Sequence, residues 1–171
     1  MNSEKAKQIR MVLLDIDGVM TNGLVGYGSD ARIKFFHSQD DHLIRMTIRE
    51  GIPVGIISGR ADLANTQHAQ ELGMAPCCFG ELVKLDAFKR VLESYQLSAQ
   101  QCLYMGDDLM DIPVMRRAGI AVCPADASAE AKEVAHWTTQ AQGGQGAVRE
   151  VLVALLKAKG LWQQATERYL V

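Results

Sequence analysis

Length, composition and charge exclude several classes of protein before any motif is considered. The 171 residues are enough for one domain with a sizeable core, and 48% of them are hydrophobic, as in a globular protein. Eighteen basic and twenty acidic residues give a net charge of −2 without a basic block, so we expect neither a nucleic-acid nor a membrane partner. The N-terminus is polar and no apolar run approaches the roughly 20 residues that span a bilayer, which predicts a cytoplasmic protein.

Short apolar runs alternate with helical patterns along the chain, as in parallel strands covered on both faces. The predicted strands cover residues 11–14, 54–57, 77–79, 102–105 and 120–123. The predicted helices cover residues 41–50, 61–72, 82–95, 112–118 and 147–159. This alternation predicts an α/β fold, a doubly wound parallel (Rossmann-like) sheet formed by a single domain over residues 1–171.

A segment at about residues 21–37 interrupts the alternation. Two apolar stretches, 24–27 and 33–36, flank Gly28-Ser29-Asp30, which predicts a β-hairpin. The remaining intervals are filled by strands and helices, so we expect no cap domain. A small hairpin with so many apolar side chains is a candidate interface between copies of the chain, although it could instead fold onto its own subunit.

Two carboxylates directly follow the first predicted strand. Asp15 and Asp17 lie two residues apart, so in an extended chain both side chains point beyond the carboxyl end of the strand, where ligands bind in α/β sheets. Gly18 allows a sharp turn and a close approach of backbone N–H groups to an anion. One carboxylate can attack while the other moves a proton. Taken alone, the pair is equally compatible with a solvated turn.

A second acidic cluster follows the strand at 102–105. Asp107, Asp108 and Asp111 are expected at the same edge of the sheet as the first pair. Two acidic clusters in one crevice repel each other unless a cation is present, and hard oxygen ligands favour Mg²⁺. The sequence therefore predicts a magnesium site.

A hydroxyl and an amine lie between the acidic clusters. Ser58 follows a strand and precedes Gly59, so it could donate to a phosphoryl oxygen, and Lys84 begins a helical pattern and could offset negative charge. Each is, by itself, more often an ordinary turn residue or an exposed side chain.

The order of these four segments resembles the four motifs of the haloacid dehalogenase superfamily of phosphohydrolases. The capless plan, the hairpin and the segments 18–23, 124–127 and 143–150 further resemble the 3-deoxy-D-manno-octulosonate 8-phosphate phosphatase family, which acts in lipopolysaccharide precursor synthesis. The resemblance implies a Mg²⁺-dependent phosphomonoester hydrolase acting on that small sugar phosphate. It also implies a homotetramer in which a neighbouring subunit shields each site.

The resemblance further implies a role for each motif residue. Asp15 is the expected nucleophile, forming an aspartyl-phosphate, and Asp17 the general acid and base. The expected catalytic residues are Asp15, Asp17, Ser58 and Lys84. The expected substrate-binding residues are Asp17, Ser58, Gly59, Arg60 and Lys84. The expected metal ligands are Asp15, Asp17 through its backbone carbonyl, and Asp107, supported by Asp108 and Asp111.

The chain departs from the family pattern at positions that bear on the substrate. Asp40-Asp41-His42-Leu43-Ile44 replaces the usual Asp-Gly-x-Gly-Ile, and Gln145 replaces an arginine. A phosphatase for another acid sugar phosphate, such as a nonulosonate 9-phosphate, or a broad-range sugar phosphatase therefore remains an alternative. A non-catalytic oligomerisation module with the same fold is disfavoured, because such modules lack the motif carboxylates that this chain retains.

Overall fold

The computed structural model describes residues 3–28 and 32–170. Its strands are β1 (Met11–Leu14), β2 (Gly26–Tyr27), β3 (Arg32–Ile33), β4 (Val54–Ser58), β5 (Cys77–Phe79), β6 (Cys102–Met105), β7 (Ile120–Cys123) and β8 (Trp137–Thr138). Its α-helices are α1 (Ser3–Gln8), α2 (Ser38–Arg49), α3 (Leu63–Leu72), α4 (Lys84–Ser94), α5 (Ile112–Met115), α6 (Ala129–Val134), α7 (Ala147–Ala158) and α8 (Trp162–Thr166). Short 3₁₀ turns cover Ala99–Gln101 and Glu167–Tyr169.

Six of the strands form one sheet in the order β5-β4-β1-β6-β7-β8, and every neighbouring pair in it is parallel. Strands β2 and β3 pair separately as an antiparallel hairpin. The predicted α/β fold with a doubly wound parallel sheet and a small hairpin is confirmed. The hairpin turn at Ser29 and Asp30 lies outside the described residues.

Each face of the sheet packs against its own hydrophobic core. Along β1, Val12 and Leu14 face the core shared with α2 and α7, while Met11 and Leu13 face the core shared with α4 and α5. This alternation is the two-residue period of a strand. It explains why β1 reads as a continuous apolar run, since both of its faces are buried.

Several short helices and one short strand were not predicted from the sequence. They are α1, α6, α8 and β8, of which β8 has only two residues and α6 only six, too few for a hydrophobic period to be visible. Helix α2 begins at Ser38 rather than at residue 41, because Asp40 and Asp41 lie in its first turn, where carboxylates stabilise the helix dipole. Among the described residues, no helix is long and apolar enough to cross a membrane.

A buried carboxylate joins α2 to the start of α7. Asp40 Oδ1 accepts a hydrogen bond from the backbone N–H of Arg149 at 2.6 Å, and Oδ2 accepts one from Gly146 at 3.3 Å. Asp40 therefore caps a helix that is distant in the sequence. The loop just before that helix touches the segment after β1, where Gly144 N–H donates to the Val19 carbonyl at 3.0 Å. The cap thus helps to hold the loop that follows Asp15 and Asp17.

We predict that Asp40→Ala lowers the free energy of unfolding by about 2 kcal/mol, because two partly buried N–H groups lose their acceptor. Urea unfolding followed by circular dichroism measures the change. Glu133→Ala, at an exposed position of α6, is the control and should leave stability nearly unchanged. Equal stability of the two variants would contradict the capping role of Asp40.

Candidate active site

A cavity of about 360 Å³ opens at the carboxyl ends of the central strands. The order of the strands reverses there, because β4 and β5 lie on one side of β1 while β6 lies on the other. This is the switch point at which α/β sheets bind ligands. The cavity is lined by Asp15, Asp17, Ser58, Gly59, Arg60, Leu82, Lys84, Asp107, Asp108, Met110 and Asp111. All the site residues expected from the sequence therefore line one cavity.

Lys84 is the buried cation at the floor of the cavity. Its Nζ lies 2.8 Å from Asp15 Oδ2 and 2.7 Å from Asp111 Oδ1. Burial lowers the pKa of Lys84, but the two carboxylates outweigh it, so the pKa is raised and the amine stays charged. The cation that the sequence placed at a helix start thus sits beside the candidate nucleophile.

Both carboxylate oxygens of Asp111 accept hydrogen bonds from protein groups at the floor of the cavity, so neither is free to bind a metal ion. Its Oδ1 accepts from Lys84 and, at 2.6 Å, from the Tyr104 hydroxyl. Its Oδ2 accepts from the backbone N–H groups of Asp107 at 3.0 Å and Asp108 at 3.3 Å. A carboxylate has about four acceptor positions, and these four bonds use them. Asp111 therefore positions the Asp107 loop, although one of its oxygens lies within 4.8 Å of one oxygen of Asp15 and one of Asp107.

Two glycines allow the carboxylates to approach this closely. A Cβ on Gly18, whose φ is +88°, would lie 2.0 Å from Asp107 Oδ2. A Cβ on Gly106 would lie 2.4 Å from the Asp111 side chain. Any side chain at either position would push an acidic group away from the cavity floor. The glycines of the first and last motifs are thus required by space as well as by turn geometry.

Burial and mutual repulsion raise the pKa values of two of the clustered carboxyl groups. Burial and, next, the charge of Asp111 raise the pKa of Asp15 to about 7, against the opposing effect of Lys84. Burial and then Asp15 raise the pKa of Asp107 to about 8. Lys84 alone does not offset the three carboxylates. Because their oxygens are hard ligands at mutual distances suited to one ion, Asp15 and Asp107 fit a divalent cation such as Mg²⁺.

Asp17 lies at the mouth of the cavity and meets two cations. Lys34 Nζ lies 2.7 Å from its Oδ1, and Arg60 Nε lies 3.4 Å from its Oδ2. The sequence analysis missed Lys34, which follows β3 of the hairpin. The available signal was a charged residue between the apolar residues Ile33 and Phe35, which in an alternating strand places the lysine on the opposite face.

The second motif, which contains Ser58, forms a short turn at the end of β4. Ser58 is buried, and its Oγ accepts a hydrogen bond from Arg60 N–H at 3.3 Å while lining the cavity. The buried Asn65 donates from Nδ2 to the Arg60 carbonyl at 3.2 Å. This bond fixes the backbone that carries Gly59 and Arg60, and it was not anticipated from the sequence.

The residues that depart from the family pattern lie elsewhere. Asp41 and Leu43, which stand where the pattern has glycine, belong to α2, and Gln145 is exposed on the loop before α7. None of these three is among the described residues that line the cavity. Within one chain, the departures therefore do not contribute to the cavity lining.

We predict a pH-dependent difference in stability between wild type and Asp107→Asn when EDTA keeps both free of metal. The folded protein retains the Asp107 proton up to about pH 8, whereas the unfolded chain loses it near pH 4, so this group destabilises wild type increasingly as pH rises between those values. The unfolding free energy of Asp107→Asn, relative to that of wild type, should therefore rise between about pH 4 and about pH 8. Asp86→Asn, an exposed control on α4, should show no such trend. If the difference in unfolding free energy between the two proteins did not change with pH, the raised pKa of Asp107 would be contradicted.

Comparison with known proteins identifies the family to which the chain belongs. Residues 79–152 match a sequence profile of haloacid dehalogenase-like hydrolases. The 3-deoxy-D-manno-octulosonate 8-phosphate phosphatase of Yersinia pestis is 38% identical over 95% of this chain and 88% of its own, and that of Escherichia coli K12 is 38% identical over 94% and 86%. The structure of the Moraxella catarrhalis enzyme with magnesium, phosphate and KDO covers 98% of this chain and 97% of its own, with 30% identity and a TM-score of 0.95. The chain belongs to the 3-deoxy-D-manno-octulosonate 8-phosphate phosphatase family of haloacid dehalogenase-like hydrolases.

Proposed function

We propose that this protein is a Mg²⁺-dependent phosphatase that hydrolyses 3-deoxy-D-manno-octulosonate 8-phosphate. The observation that carries the proposal is the convergence of Asp15, Asp17, Lys84 and Asp107 in one cavity of a chain that belongs to this family. The whole of residues 1–171 acts as one phosphatase domain with the hairpin inserted. A cytoplasmic location and a role in lipopolysaccharide precursor synthesis are part of the proposal and rest on sequence and resemblance.

Asp15 attacks the phosphorus atom and forms an aspartyl-phosphate. The Lys84 ammonium, 2.8 Å from Asp15, and the Ser58 hydroxyl bind phosphoryl oxygens and stabilise the negative charge that they carry in the transition state. Lys84 is already fixed by Asp111, so it needs little reorganisation when the substrate binds. Gly59 and Arg60 line the mouth, where Arg60 contacts the anionic end of the substrate.

Asp15, the backbone carbonyl of Asp17 and the Asp107 carboxylate hold Mg²⁺, with Asp108 nearby and Asp111 orienting the loop. When bound, the ion neutralises the clustered carboxylates and draws charge from the phosphoryl group. The support for this ligand set is the pair of raised pKa values at Asp15 and Asp107, together with the saturated oxygens of Asp111.

Asp17 completes both half-reactions. Its carboxyl group protonates the departing sugar oxygen, and its carboxylate then takes a proton from the water that hydrolyses the aspartyl-phosphate. A carboxyl group at the mouth, between the phosphoryl site and the solvent, suits both transfers. The presence of both carboxylates opposes the alternative of a non-catalytic oligomerisation module.

The hairpin mediates assembly into a homotetramer and helps to cover the site. Tyr27 and Phe35 each have 78% of their surface exposed, and Leu24 and Ile33 are also exposed. So many apolar side chains on one small element favour burial against another copy of the chain. The cavity mouth also carries the exposed Leu82, which a neighbouring subunit would cover.

We predict that Asp15→Asn retains less than a few per cent of wild-type activity, because an amide cannot form the acyl-phosphate. Phosphate release from a panel of sugar phosphates, with Mg²⁺ and with EDTA, measures it. Wild type should release phosphate fastest from 3-deoxy-D-manno-octulosonate 8-phosphate and lose activity in EDTA. Asp86→Asn is the matched exposed control.

Each part of the proposal can fail separately in this assay. Substantial activity of Asp15→Asn would remove Asp15 as nucleophile, and undiminished activity in EDTA would remove the metal. Faster turnover of a nine-carbon acid sugar phosphate, or equal turnover of neutral sugar phosphates, would replace the substrate by one of the two alternatives.

We predict that Tyr27→Ser combined with Phe35→Ser shifts the native mass from a tetramer toward smaller species, because each side chain contributes roughly 2 kcal/mol if buried. Light scattering measures the mass, and activity should fall with it. Tyr95→Ser, at the opposite end of the sheet, is the control. A monomeric wild type, or an unchanged mass in the double variant, would contradict the interface.

A further inference from the structure

The hairpin carries a buried lysine between two exposed apolar residues. Ile33 is 51% exposed and Phe35 is 78% exposed, whereas the side chain of Lys34 is fully buried. This is the reverse of the usual surface pattern, in which lysine faces water. The inward direction of Lys34 therefore calls for partners that compensate the cost of burying its charge.

Two carboxylates supply that compensation. Lys34 Nζ lies 2.7 Å from Oδ1 of Asp17 and 2.9 Å from its Oδ2, so it bridges both oxygens. It also lies 3.2 Å from Oδ2 of Asp62, the residue just before α3. Arg32 forms an ion pair with the other oxygen of Asp62. Burial raises the pKa of Asp62, but Lys34 and Arg32 outweigh it and lower the pKa overall, so this anchor stays charged.

These contacts fix the direction of the Asp17 carboxylate. Lys34 holds it from the hairpin side and Arg60 from the side of β4, while Asp62 keeps the lysine in place. Lys34 is absent from the lining of the cavity, so its ammonium meets Asp17 without meeting the space for substrate. Within one subunit, its effect on the reaction therefore passes through Asp17.

We infer that Lys34 is a positioning residue for catalysis, which holds the Asp17 carboxyl group where it reaches the leaving-group oxygen. The inference rests on the proposed function, in which Asp17 is the general acid. It also makes the hairpin part of the reaction machinery, since the same three-residue stretch presents apolar side chains outward and the lysine inward. A purely structural role, in which Lys34 only anchors the hairpin, is the alternative to be tested.

The test uses the dependence of rate on the leaving group. Lys34→Met keeps the length of the side chain and removes the charge. The parameter is kcat/KM, which reports phosphorylation of Asp15 and excludes the later hydrolysis step. It is measured for the sugar phosphate that wild type hydrolyses fastest and for p-nitrophenyl phosphate, whose leaving group needs no proton. Lys89→Met, exposed on α4, is the matched control.

We predict that Lys34→Met loses on the order of tenfold to hundredfold in kcat/KM on the sugar phosphate, the scale of a misplaced catalytic group, and clearly less on p-nitrophenyl phosphate. Adding Lys34→Met to Asp17→Asn should cause little further loss on the sugar phosphate, because the two residues act in series. Thermal melting and native mass, recorded for every variant, separate these effects from unfolding or dissociation.

Equal losses on the two substrates, or fully additive losses in the double variant, would overturn the inference and leave Lys34 as a structural anchor. The test uses whichever sugar phosphate wild type hydrolyses fastest. If that is not 3-deoxy-D-manno-octulosonate 8-phosphate, the substrate assignment is overturned but the test of Lys34 still holds. A wild type that hydrolyses neither substrate would overturn the proposed function and the inference together.

Discussion

The constraint on which the structure depends is the repulsion among three carboxylates brought together around one lysine. One carboxylate oxygen from each of Asp15, Asp107 and Asp111 lies within 4.8 Å of the other two, and Lys84 contacts two of the three groups. Such a cluster opposes folding unless each carboxylate has a partner that compensates its charge. Asp111 is satisfied entirely by protein donors, whereas Asp15 and Asp107 are the carboxylates that, in the proposed function, meet the cation and the phosphoryl group.

The sheet topology makes that arrangement possible. The chain leaves β1 toward one edge of the sheet and returns to β6 on the other side of β1, so the loops after these strands meet. Gly18 and Gly106 bring the loops into contact because neither has a side chain to separate them. Asp40, by capping α7, holds the loop that supports the segment after β1 from a distant part of the sequence. The packing of α2 against α7 thus helps to fix the geometry of the candidate active site.

The hairpin serves both subunit assembly and acid catalysis in the proposed function. Its apolar side chains face outward, as an interface between subunits requires, while Lys34 points inward to the carboxylate proposed as the general acid. An element with so little contact with its own core gains order from the ion pairs among Lys34, Asp62 and Arg32. On this view, assembly and acid catalysis depend on the same short stretch, which gives a physical reason for a capless phosphatase to retain the hairpin.

The sequence by itself determined the alternating α/β plan, its five main strands and the carboxylates that line the cavity, because these follow from short-range patterns. Apolar runs bounded by turns define the strands, and carboxylates directly after a strand must lie at its carboxyl end. Only the tertiary structure decided which acid is saturated by hydrogen bonds, that Asp40 caps α7, and that Lys34 meets Asp17. These contacts join residues 17 to 109 positions apart or depend on which of several similar carboxylates each donor reaches. Local sequence carries no signal for such pairings, since they are set by how the loops and helices pack against one another.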